Sequence, residues 1–185
     1  MSQGALVLVV GPSGAGKDTL IAAAQQALGS EGRFVFPRRV VTRDAVAALE
    51  DHDSIDRDGF EAARLNGHFA LDWEAHGLCY ALPGSVDAAV AAGSIVVANV
   101  SRRVIPHALR KYGRARVMLI TAETEVRAQR LAGRGRESAE DVAARLRHEG
   151  APVPEGVAPV VIDNSGALES GIAAFVAALR LIAAE

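Results

Sequence analysis

Gly11-Pro12-Ser13-Gly14-Ala15-Gly16-Lys17 sets a lysine directly behind two glycines that have four residues between them. G-x-x-x-x-G-K is the pattern of a phosphate-binding loop. Its glycines let successive backbone N–H groups converge on phosphate oxygens with no Cβ in the way. Lys17 is then placed to reach the β and γ phosphates of a nucleotide. A bare glycine turn would carry neither the lysine nor the flanking signals, which here are an apolar run before the turn and a helical pattern after it. The chain has 18 arginines and only two lysines, Lys17 and Lys111, so the type of residue at 17 is notable. Gly11, Pro12, Ser13, Gly14, Ala15, Gly16, Lys17, Asp18 and Thr19 are the expected nucleotide contacts. Asp18 stands where such loops usually carry a Ser or Thr on Mg²⁺. A carboxylate is an oxygen ligand for that ion, directly or through water. It also suits the positive end of a helix dipole. Metal ligand and helix cap are both open for Asp18.

Other cations are arranged to meet phosphate. Arg43, Arg102 and Arg103 follow strand-like runs, and ligands of open α/β sheets collect at the carboxyl ends of strands. Guanidinium groups bind phosphate in a bidentate manner. Each of the three could equally be a solvated charge. His52 falls in the polar stretch 43–58, read as a loop on the acceptor side. It could touch a phosphate or a sugar hydroxyl, or simply be exposed. The densest positive stretch holds Arg127, Arg130, Arg134, Arg136, Arg145 and Arg147, opposed by Glu137, Glu140 and Asp141. A helix–Gly-Arg-Gly-Arg–helix unit over about 127–148 reads as a lid that brings cations to a migrating phosphoryl group. The alternative is an exposed, salt-bridged helix pair. Lys17, Arg130, Arg134, Arg136 and Arg145 are the candidate catalytic cations. Tyr80 and Trp73 could stack at the acceptor or pack. Cys79 reads as a small core residue. No His or Cys spacing suggests zinc, and the metal implied is the Mg²⁺ that accompanies ATP.

These residues need a scaffold. Ala5–Val10 is a continuous apolar run, the pattern of a strand buried on both faces. Lys17 to Leu28 is helical and Gly29 stops it. Phe34 to Thr42 is expected as a strand, weakened by Pro37. Asp56 or Asp58 can cap a short helix over Phe60 to Leu65. Strand pieces follow at 69–73 and 78–82, then a helix over 86–92. Strands at 94–99, 115–121 and 160–162 alternate with helices at 105–112, 123–132, 138–148 and 168–184. Alternation of this kind predicts an α/β domain with a mostly parallel sheet.

The whole composition fits one domain over 1–185. Hydrophobic residues make up 50% and charged residues 23%, which excludes a disordered chain. The net charge of −2 gives no basic excess for a nucleic-acid backbone. The longest apolar run is too short to span a bilayer. One cysteine excludes an internal disulfide, and no signal peptide is visible, so the expected compartment is the cytoplasm. A homodimer is among the assemblies left open.

The string Gly11 to Lys17 is similar to the phosphate loop of guanylate kinases, and the similarity continues to about Asn164. Val41-Thr42-Arg43 resembles that family's Thr-Thr-Arg, Phe60-Glu61 its Phe-Glu, and Gly67-His68-Phe69 through His76-Gly77 to Tyr80 and Pro83 its acceptor hairpin. Where guanylate kinases read guanine with a glutamate, Leu71 aligns, and the second arginine of their Thr-Thr-Arg-x-x-Arg is absent. The combination resembles more closely the ribose 1,5-bisphosphate phosphokinases: Asp18 after the lysine, Thr42-Arg43-Asp44, Asn99-x-Ser101-Arg102, Arg134-Gly-Arg136-Glu137 and Asp163-Asn164. That resemblance implies a guanylate-kinase-like P-loop kinase with an acceptor insertion over about 38–83. It implies Asn164 among the nucleotide contacts, and Arg43, His52, Tyr80, Asn99, Ser101 and Arg102 at a phosphorylated sugar. The implied reaction makes phosphoribosyl diphosphate from ribose 1,5-bisphosphate and ATP, in phosphonate breakdown. An acceptor that is itself a phosphate is largely ionised at neutral pH, with a second pKa near ~6, so no general base is needed. Alternatives are a nucleoside-monophosphate kinase, guanylate kinase in particular, a kinase acting on a hydroxyl, and a non-catalytic interaction module.

Overall fold

Six apolar residues in a row leave a strand no polar face to turn to water, so it must be covered on both sides. Ala5–Val10 forms strand β1, buried at every position. A computed structural model of the chain describes residues 4–43, 52–75, 77–133, 143, 146 and 151–185. In it β1 is the middle strand of a five-stranded sheet. The order is β2 (Phe34–Val35), β7 (Ile95–Asn99), β1, β8 (Ala115–Thr121) and β9 (Val160–Asp163). Every neighbouring pair is parallel. The fold class is α/β, as expected.

Alternate residues of β1 face two separate cores. Ala5, Val7 and Val9 meet Leu20, Ala24 and Leu28 of helix α1 (Lys17–Leu28) and Phe175, Leu179 and Ile182 of the last helix, Leu168–Ala184. Leu6, Leu8 and Val10 face the other way. They pack with Val104, Ile105 and Ala108 and with Leu71, Trp73 and Leu82 from a second sheet.

That second sheet has the order β4 (His52–Ser54), β3 (Arg39–Val41), β6 (Leu78–Pro83) and β5 (Phe69–Ala75). β3 runs parallel to β4 and antiparallel to β6, and β5 and β6 are antiparallel. Helix α2 (Arg57–Leu65) covers its outer face, where Phe60 packs with Cys79 and Ala81. Asp56 is its cap, accepting from Gly59 N at 2.7 Å. Helices α3 (Ser85–Ala91) and α4 (Ile105–Lys111) follow, the latter after a 3₁₀ turn, Arg102–Val104. Helix α5 is Thr124–Ala132, and Leu168–Ala184 is α6.

Two expectations are corrected. The strand expected over Phe34 to Thr42 is two strands, β2 and β3, in different sheets. Pro37, between them, has no N–H to give to a ladder. The stretch 43–58, expected as a loop, contains β4, so His52 is a strand residue. Most of the expected helix 138–148 lies outside the described residues; Ala143 and Leu146 within it are helical. Among the described residues, no helix is long and apolar enough to cross a membrane.

Candidate active site

β1 ends and the chain turns through Gly11–Gly16 into α1, at the carboxyl edge of the parallel sheet. Gly16 takes φ +91° as the helix cap, and a Cβ there would overlap Asn164 Nδ2. Only glycine meets both demands. The Lys17 ammonium is folded onto the loop, donating to Gly11 O at 2.8 Å and Pro12 O at 3.0 Å. Those carbonyls hold the charge where a phosphate would compete for it. Asp18 and Thr19 are exposed in the first turn of α1. The Asp18 carboxylate accepts from Asn99 Nδ2 at 2.6 Å, with Arg39 Nη2 3.9 Å away.

The loop is braced from behind. Arg127 is 5% exposed and donates from Nε to Ser13 O at 3.0 Å. Asn164, at the end of β9, is 2% exposed and donates from Nδ2 to Ala15 O at 2.8 Å. Arg130 Nη2 donates to Asn164 O at 2.9 Å. Arg127 Nη2, Arg130 Nη1 and Asn164 Oδ1 are buried with no hydrogen-bond partner among the described residues. Arg127 and Arg130 thus bring two guanidinium groups against the phosphate loop.

The second sheet supplies the opposite wall. Arg43 lies two residues past β3, in a turn where its N donates to Val41 O at 3.0 Å, and is half-buried. Tyr80 pairs with Val41 in register and stacks on Trp73 with ring centroids 5.7 Å apart. Thr42 Oγ1 ties β3 to β6 by accepting from Cys79 N at 2.8 Å. Cys79 is buried, and that burial, with the nearby Glu74 carboxylate, pushes its thiol up. No group of three or more His, Cys, Asp or Glu side chains forms a metal cluster among the described residues.

A family model described as an AAA domain matches residues 7–148. A ribose 1,5-bisphosphate phosphokinase PhnN from Brucella melitensis biotype 2 is 50% identical over 182 residues, covering 98% of this chain and 94% of that one. The chain belongs to the ribose 1,5-bisphosphate phosphokinase family. A protein of the same name from Methylobacterium radiotolerans is 50% identical over 177 residues, covering 96% of this chain and 98% of its own. Among solved structures, a guanylate kinase from Anaplasma phagocytophilum superposes with a TM-score of 0.73 at 17% identity, over 100% of this chain and 88% of that chain. The last likeness shows the fold, a P-loop kinase of the guanylate-kinase shape.

Against this phosphokinase frame, the expected site residues divide. The loop, Lys17, Asp18, Asn99 and Arg130 meet at one place. Asn164, expected at the nucleotide, lies against the loop, with Nδ2 donating to Ala15 O at 2.8 Å. Ser101 accepts from Arg103 N at 3.3 Å and caps the 3₁₀ turn. Arg102 donates from Nη1 to Ala151 O at 3.1 Å, so it is tied to the connector before β9. Arg134, Arg136 and Arg145 lie outside the described residues. Leu71 is 1% exposed in the core between the sheets, and Leu82 is fully buried beside it. Arg39 and Arg127 were not singled out as ligand contacts by the sequence. Arg127 had a signal in the arginine-dense stretch; Arg39 had only its place two residues after Pro37.

Proposed function

We propose that the chain transfers the γ-phosphoryl group of ATP to the 1-phosphate of ribose 1,5-bisphosphate, giving phosphoribosyl diphosphate and ADP, as a step of phosphonate breakdown. An oxygen of the 1-phosphate attacks the γ phosphorus, and the bond from that phosphorus to the β–γ bridging oxygen breaks. The attacking oxygen is already ionised, so the protein has no proton to remove. Its work is to align two anions and offset their charge.

Gly11 to Gly16 cradle the nucleotide phosphates and Lys17 leaves its carbonyls for them. Arg130, with Arg134, Arg136 and Arg145 of a lid over about 127–148, meets charge that develops in transfer. The acceptor unit, about 38–83, holds the sugar phosphate through Arg43 and Tyr80. The donor set at Asp18, an exposed carboxylate beside the loop with the Asn99 amide on it, fits Mg²⁺. Bound there, Mg²⁺ would offset charge on the β and γ phosphates.

One observation carries the choice of acceptor. The wall keeps its phosphate-binding arginine but buries a leucine where a guanine-reading carboxylate would stand. Incubation with Mg-ATP and ribose 1,5-bisphosphate, followed by ³¹P NMR, tests this reading. A new diphosphate signal equal to the ADP formed is expected; ADP formed without it would contradict the assignment.

A further inference from the structure

An acceptor with two phosphates needs two cationic seats, and the structure leaves one of them unassigned. Arg43 follows β3 and is the seat the motif indicates. Arg102 gives Nη1 to Ala151 O, in the connector before β9. Leu71 is buried in the core between the sheets. Among the described residues, Arg39 is a further cation on the wall that faces the phosphate loop.

Side chains alternate across a strand, and registered neighbours on adjacent strands share a face. Arg38 and Asp53 take the outer face of the second sheet and pair there at 3.4 Å. Arg39 and His52, in register across β3 and β4, take the inner one. Arg39 reaches toward α1 far enough to put Nη2 3.9 Å from the Asp18 carboxylate. Its side chain is 19% exposed. Arginine has five N–H donors, and this contact, longer than a hydrogen bond, is the one Arg39 makes among the described residues. His52 is 8% exposed, and its Nδ1 has no hydrogen-bond partner among them. Its carbonyl is held by Arg38 Nη2 at 2.9 Å, which fixes the residue in the strand. Position 43 lies just past the end of β3, in a turn where Arg43 N donates to Val41 O at 3.0 Å. Two long guanidinium side chains that close in sequence can reach the two ends of one small sugar.

We propose that Arg39, seconded by His52, forms a second anion subsite that holds one phosphate of the acceptor while Arg43 holds the other. This rests on the reading of the acceptor as a bisphosphorylated sugar. Arg39 is thus a specificity residue: it makes the site favour acceptors with two phosphates. Asp18, 3.9 Å away, is the carboxylate beside that guanidinium.

Calorimetric titration without nucleotide tests this, using ribose 1,5-bisphosphate, ribose 1-phosphate and ribose 5-phosphate on the wild type, Arg39→Ala, Arg39→Lys and His52→Asn. A charge-assisted contact with phosphate predicts a loss of about 10- to 100-fold in bisphosphate affinity for Arg39→Ala. Arg39→Lys should recover part of it, and His52→Asn should lose several-fold. One of the two monophosphates should bind Arg39→Ala within about threefold of wild type, since Arg43 holds it. ATP affinity, titrated separately, should not change. Bisphosphate affinity within threefold of wild type in Arg39→Ala would overturn the subsite. So would an equal loss of ATP affinity, which would mean that Arg39 acts only through Asp18. Unchanged affinity in His52→Asn would remove His52 from the subsite. If the wild type itself ignores the bisphosphate, the proposed acceptor falls first; if the wild type binds it and Arg39→Ala binds it equally well, the subsite alone falls.

Discussion

Lys17 sits with its charge on the carbonyls of Gly11 and Pro12, both at hydrogen-bond distance, and must leave them to meet a phosphate. Its contribution to stability is small, because each such bond is worth about 1 kcal/mol net. Its contribution to transfer is large, because it meets charge in a preorganised site. Lys17→Ala should lower kcat by about 10²–10³-fold, with a thermal midpoint within a few degrees of wild type. Near-normal kcat in a folded variant would remove the loop from the mechanism. Cys79 gives a test of the acceptor wall. Burial, then the hydrogen bond to Glu74, raises its thiol pKa, so the thiolate is scarce at pH 8 and shielded. Iodoacetamide at pH 8 should label the urea-unfolded chain quickly and the native one scarcely. Equal rates would show that β6 is not packed as described. The residues of the loop were legible in sequence because a local backbone pattern defines them. Arg39 was not, since the sequence shows an arginine in a β-rich run but not which of two sheets that run joins.

At the scale of elements, the phosphate loop depends on a residue nearly 150 positions away. Asn164, at the end of β9, holds Ala15 O, and Arg130 of α5 holds the Asn164 carbonyl. The glycine at 171 lets α6 pass close to that amide, since a Cβ there would overlap Asn164 Oδ1. Asn164→Ala leaves Ala15 O buried and unpaired, at a cost of about 1–3 kcal/mol. A lower urea midpoint and a several-fold weaker KM for ATP are expected together. An unchanged midpoint and KM would deny the brace. β1, β7 and β8 were legible because an unbroken apolar run has few other fates. β2 and β3 were not separated, because a proline signals a break but not that the chain changes sheets. β4 was hidden by its composition: His52-Asp53-Ser54 has weak strand propensity, and its register is set by β3 alongside it. Asn164 was singled out by likeness, yet its role as a brace is a tertiary fact that no local pattern carries.

The whole molecule sets two walls across one edge. The carboxyl end of the parallel sheet presents the phosphate loop, and the second sheet faces it with Arg39, Arg43 and Tyr80. Asp18, on one wall, accepts from Asn99 and lies 3.9 Å from Arg39 on the other. The core between the sheets takes Leu71 and Leu82, where a carboxylate would be needed to read a base. A guanine ring on that wall would bury N–H donors without partners, at about 1–3 kcal/mol each, so it should be disfavoured by at least about tenfold. The direct test is a comparison of kcat/KM for ribose 1,5-bisphosphate and for GMP under identical Mg-ATP. The sugar bisphosphate should be better by tenfold or more; GMP as the better acceptor would contradict this and make the chain a guanylate kinase.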